Sequence, residues 1–210
     1  VLKHISFGGG VFLMPYEANV VRQMLCGLTQ ALGAVLPVEA IVEQDRGLTT
    51  TLQHAPSVPI AYTPTILPSP VSKGVRGIWY TTEKCAYCNA HMAGPVLFND
   101  SAWTVVVKAS PTAVTQPIDS NATGLTPPPD SVARSGFRSP ALFGIREVAP
   151  GAAIPNGSGS GGQTGRVALM NMWPQFHVGG GGKWIMNNQT LRDGDHTRPS
   201  DLGILLVNTF

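Results

Sequence analysis

Apolar residues at positions 16, 20, 21, 24, 25, 28 and 32 recur at steps of three and four, while Glu17, Asn19, Arg22, Gln23, Thr29 and Gln30 fill the other side. That period predicts one amphipathic helix over residues 16–32, entered at Pro15 and closed by Gly33, with its apolar stripe turned to a core. Elsewhere the pattern shortens to β-prone runs, predicting eight strands at residues 2–7, 35–42, 58–62, 77–82, 103–109, 166–173, 183–186 and 203–210. The last run, within "RPSDLGILLVNTF", is so continuously apolar that a strand there needs cover on both faces.

Long connections separate these runs. "HAPSVPIAYTPTILPSPVSKG" is punctuated by proline, "SPTAVTQPIDSNATGLTPPPDSVARSG" is polar, and "PGAAIPNGSGSGGQTG" is a Gly/Ser tract. They hold little charge and several apolar residues (Ile66, Leu67, Ile118, Leu125), so they are expected to pack rather than to serve as free linkers. No repeat of solenoid or propeller length is visible, and residues 1–210 are expected to form one mainly β domain.

Composition adds a statement about the surface. Charged residues make up 12% of the 210, whereas the apolar share is an ordinary 43%; 24 Gly and 18 Pro account for part of the difference. Few surface ions leave association weakly opposed, which suits an exterior covered by partners and equally a Thr/Ser-rich secreted β domain. The net charge of +2 is spread singly, with no basic arm or patch to displace phosphate counterions, so tight direct binding to nucleic acid is not expected. The richest apolar window, 24–38, is broken by Thr29, Gln30 and Pro37 and falls short of a membrane span. No signal peptide is seen, and a start at Val1 is expected of a chain that was cut from something longer, was trimmed at its start, or has lost a leader.

Candidate chemistry is thin. Cys85, Cys88 and His91 in "KCAYCNAHM" have zinc-ligand spacing but need a fourth ligand from afar, Cys26 or His177; structural thiols are the commoner outcome for a single CxxC. "RDGDH" offers Asp193, Asp195 and His196 in the alternation that opens a calcium loop, without the closing glutamate, and Asp-Gly is first of all a turn dipeptide. "HISFGGGVF" lacks the G-x-S-x-G partner of an esterase oxyanion loop, and Lys183 in "VGGGGKW" is not set in a phosphate-loop motif. His4, His54, His91, His177 and His196 are scattered. Sequons at Asn99, Asn121, Asn156 and Asn188 are what a Ser/Thr-rich chain produces by chance as well as by use. No catalytic, cofactor or metal residue is therefore assigned, and a non-enzymatic role is expected.

The closing segment "RPSDLGILLVNTF", a polar turn followed by a greasy run, is similar to the last strand of coat proteins of small icosahedral, picorna-like RNA viruses. The eight β segments, single helix, Pro-rich loops and sparse charge fit the same family, while the Arg/Lys-rich amino-terminal arm that many coat proteins carry is missing. The resemblance implies an eight-stranded antiparallel jelly roll and a structural subunit that self-assembles into an icosahedral shell around an RNA genome. It places the chain in the virion, with other capsid subunits as partners and a host receptor as a further one. Candidate contact residues are Ile66, Leu67, Val71, Leu97, Phe98, Phe143 and Trp173, each equally a candidate for the core. Two other readings compete: a β-sandwich binding or adhesion module with Trp79, Tyr80, Trp173 and Trp184 as an aromatic platform, and a zinc-dependent or thiol hydrolase built on Cys85, Cys88 and His91.

Overall fold

The computed structural model describes residues 1–15, 20–52, 55–82, 93–99, 101–117, 136–149, 163–172, 194–195 and 197–210. Among them the chain is mainly β. In order run α1 (Leu2–Ser6), β1 (Gly10–Leu13), α2 (Val20–Ala31), β2 (Ala34–Val35), β3 (Glu39–Glu43), β4 (Thr49–Leu52), β5 (Ala55–Thr63) and β6 (Ile78–Thr81). β7 (Leu97–Phe98), β8 (Trp103–Lys108), β9 (Ala113–Pro117), β10 (Ala141–Val148), β11 (Gly165–Met170) and α3 (Leu202–Thr209) follow. Single 3-10 turns precede β4 at Arg46–Leu48 and β6 at Pro70–Ser72.

The main sheet has the order β1-β11-β10-β8, with β1 parallel to β11 and the other pairs antiparallel. A second sheet is β4-β5-β6, and β3 with β9 and β2 with β7 form two-stranded ladders. Side chains alternate across a strand, and β11 shows what this does. Ala168 and Met170 join a core with Phe143, Ile145, Ile78 and Tyr80, so the main sheet and the β4-β5-β6 sheet share that interior. Val167 and Leu169 point the other way, into a second core with Ile5, Leu32, Leu36 and Trp103. The layering is that of a β-sandwich, with helices laid on the outside.

Each helix covers one core. Leu25 and Leu28 of α2 pack with Leu32 on the second core. The helix stops where predicted, at Gly33 in the left-handed region (φ 74°). Its last carbonyls are capped from the sheet: Trp103 Nε1 and Arg146 Nη1 both donate to the Leu32 carbonyl, at 2.6 and 2.7 Å. Gly144 leaves bare backbone where the Phe98 ring lies, since a Cβ there would sit 2.5 Å from Cζ. Leu202 and Leu205 of α3 fill the first core.

Two predicted strands are helices, and both corrections have the same cause. Residues 203–209 lie in α3, which Phe210 closes, and the buried positions Leu202, Leu205 and Thr209 recur at three and four rather than two. Three leucines, good helix formers, outweigh the β-branched Ile204 and Val207, and Asp201 stands before the first turn, where the helix dipole favours a carboxylate. Residues 2–7 begin with α1, which buries Ile5 and half-buries Leu2 one turn away. The run 35–42 is interrupted at Leu36 and Pro37 into β2 and β3. Strands β1, β4, β7, β9 and β10 were not among the predicted runs. The predicted strand 183–186 and the opening turn of the predicted helix, 16–19, lie outside the described residues.

Candidate functional site

The sequence-predicted chemical residues divide into two sets. Cys85, Cys88, His91, His54, His177, His196, Asp193, Lys183, Trp173, Trp184, Asn121, Asn156 and Asn188 lie outside the described residues. Of the remainder, Asp195 closes a turn: Oδ1 accepts from the Thr197 backbone N at 2.8 Å, Thr197 Oγ1 at 2.9 Å and the Arg198 backbone N at 2.6 Å. Oδ2 accepts from Arg198 Nη2 at 3.1 Å. Partial burial opposes the charge, but the Thr197 and Arg198 bonds hold this carboxyl below its usual range. Both oxygens are occupied, as in an Asp turn. Among the described residues no group of three or more His, Cys, Asp or Glu side chains converges on one point.

Arg198 continues this structural role. Its guanidinium lies 5.0 Å from the Trp79 ring centroid and 5.8 Å from that of Tyr62, and Nη1 donates to the Gly47 carbonyl at 2.6 Å. Trp79 and Tyr80 are fully buried in the described structure, so neither presents a ring face to a ligand as the aromatic platform required. "FGGG" is a helix exit: Gly8, at φ 91°, and Gly9 donate back to the carbonyls of Ile5 and His4 before β1 begins. Asn99 is exposed just after β7.

One polar cluster is buried. Glu43, on β3, accepts a short hydrogen bond from Ser110 Oγ, and bonds from Thr112 Oγ1 at 2.6 Å and the Asp45 backbone N at 2.9 Å. Thr82 Oγ1 accepts from the Glu43 backbone N and donates to the Ile41 carbonyl. Burial, followed by the adjacent Glu43 charge, pushes the Tyr80 hydroxyl well above the ordinary phenol range. Ser110 is inaccessible and among the described residues bonds Glu43, Thr112 and the Ala113 backbone N, so the cluster ties β3 to the turn before β9.

The surface is more informative. Of the predicted contact residues, Val71 and Phe143 are core, Ile66, Leu67, Leu97 and Phe98 are half-buried, and Trp173 lies outside the described residues. Of the six large apolar residues exposed among the described ones, Val1, Phe7 and Phe137 are dispersed, whereas Ile204 and Val207 on the outer side of α3 and Phe210 just past it, 42%, 77% and 88% exposed, form one row. Residues 202–210 contain no charged side chain, so α3 is apolar on the side that packs and on the side that does not. Polar bonds at its two ends fix its position. Asp201 accepts from Arg76 Nε at 3.0 Å, Nη2 at 3.0 Å and the backbone N at 2.8 Å. Asn208 Nδ2 donates to the carbonyls of Val71 and Lys73. The Arg76 hydrogen bonds hold the Asp201 carboxyl below the ordinary carboxylate range.

Beside α3 the main sheet is incompletely covered. A depression of about 370 Å³ is lined by Gly10, Phe12, Ala168 and Phe210, and one of about 310 Å³ by Val71, Thr104 and Ile145; Glu147 and Arg166 line both. Sequence reasoning missed α3's outer face because it took the segment for a strand. The available signal was the helix preference of its three leucines, with Ser200 and Asp201 ahead of them. Nothing in the sequence alone singles out Arg166 or Glu147. No model of a known protein family matches the chain. A search of curated proteins likewise returns no match.

Proposed function

We propose that the chain is a structural subunit that works by self-association, a capsid-type protein of the small icosahedral RNA virus kind, and that its place is the virion. The observation that carries this reading is α3. A helix apolar all round is normally buried all round, and the row Ile204, Val207, Phe210 has cover on one side only among the described residues. Neighbouring copies would bury that row, in a protein whose 12% charged residues do little to keep copies apart. The sandwich layering supports it too. The finer architecture proposed with it is the eight-stranded jelly roll, whose antiparallel facing sheets would be drawn from β3 to β10; the parallel β1–β11 pair would be an addition at the margin. The reading no longer draws on a closing strand, because that segment is helical.

The test is particle mass. Sedimentation of the purified chain is expected to show multi-copy species, and Val207→Glu is expected to weaken their association at least about tenfold, since it places a charge in an apolar contact. A wild-type chain that stays monomeric at high micromolar concentration overturns the reading.

A further inference from the structure

The two depressions on the main sheet meet at one ion pair. Arg166 Nη2 donates to Glu147 Oε1 at 3.0 Å, and the two side chains are 43% and 62% exposed. An exposed pair of this kind contributes little to folding, so stability alone does not account for placing it there. These are the only charged residues among the described ones that line either depression. The depressions extend from β1, past Gly10 and Phe12, across β11 and β10 to Thr104 on β8. Phe210 lines the first of them, so the apolar outer row of α3 runs into it.

A patch that holds, among the described residues, one cation and one anion side by side is its own electrostatic complement under a two-fold rotation. An isologous contact sets residue i against j and j against i. A nucleic acid or an acidic partner would instead select a surface of one sign. We propose that two copies of this chain pack face to face over these depressions, about a two-fold axis beside the ion pair. Arg166 then meets the partner's Glu147, and Glu147 meets the partner's Arg166, in a ring of four alternating charges. This rests on the self-association proposed above and names the surface used.

The experiment is a charge swap read by sedimentation of the full chain, with a thermal melt of each variant to verify folding. Arg166→Glu alone would put four carboxylates in the ring and Glu147→Arg alone four cations. Each is expected to weaken association at least about tenfold, because juxtaposed like charges are costly at an interface. An equimolar mixture of the two variants is expected to regain association, since every acid then faces a base across the axis. Mixing cannot repair the broken pair within each chain, so a purely intramolecular role predicts no recovery. The proposal is overturned if the wild type associates while either variant associates as tightly, or if both variants are monomeric and mixing restores nothing. In both cases self-association itself stands. A monomeric wild type overturns both.

Discussion

Helices α2 and α3 lie on different cores of the same fold, and they treat their outer sides in opposite ways. α2 turns Leu25 and Leu28 inward and carries Gly27 and Gln30 at exposed positions, so the described part of its outer side shows no large apolar group. α3 turns Leu202 and Leu205 inward, then repeats the same chemistry outward with Ile204 and Val207. Their fixings differ as well. α2 is capped at its C-terminal end by Trp103 and Arg146, whereas α3 is held before its first turn by the Asp201 carboxylate and near its last by Asn208. The contrast separates a helix whose sequence is explained by its own fold from one whose sequence asks for a second surface.

The strongest way to break the comparison is to attack what the helices share. Leu32→Ala and Leu205→Ala each remove a side chain at most 1% exposed, and each is expected to cost about 2–5 kcal/mol by denaturant unfolding. A much smaller loss for Leu205→Ala would mean that α3 is only loosely applied to the first core. Next comes the clamp. Asp201→Ala deletes the acceptor of three Arg76 bonds and is expected to cost about 1–3 kcal/mol. Because the folded carboxyl is held below its unfolded value, its contribution is complete above about pH 4. It is lost as pH falls through the folded value. An acid titration of stability should therefore lose part of its low-pH limb in Asp201→Asn; an unchanged limb would contradict the clamp. The smallest expected changes in stability are the most discriminating. Gln30→Glu and Ile204→Glu, both at exposed positions, should each stay within about 0.5 kcal/mol of wild type. Only Ile204→Glu should reduce association in sedimentation, and equal behaviour of the two would remove the contrast.

Much of the layering could be read from the sequence, because short runs rich in β-branched and aromatic residues mark strands even where both faces are buried, as in β6 and β11. The predicted runs at 58–62, 77–82, 103–109 and 166–173 fall on β5, β6, β8 and β11. Strand β10 was missed although its first five residues are all buried: with Ala141, Phe143 and Gly144 at register shifts against β8, its alternation is scrambled. β9, "AVTQP", is too polar to stand out, and it pairs with β3 along its whole length. α3 was misread for the opposite reason. With apolar groups on every side it has no period to detect, and only the local preference of leucine and the preceding Ser200 and Asp201 favour a helix. The surface around Arg166 and Glu147 was invisible for a further reason: two charges far apart in the chain become one feature only when β10 and β11 pair, Glu147 opposite Arg166.

The parallel pairing of β1 with β11 has a consequence for biosynthesis. Gly10 to Leu13 are synthesised long before Arg166 to Leu169, with which they pair. That pairing waits for the later segment, and loop closure on that scale is slow. A circular permutant that carries residues 1–15 after residue 210 shortens this separation and should refold faster than the parent chain.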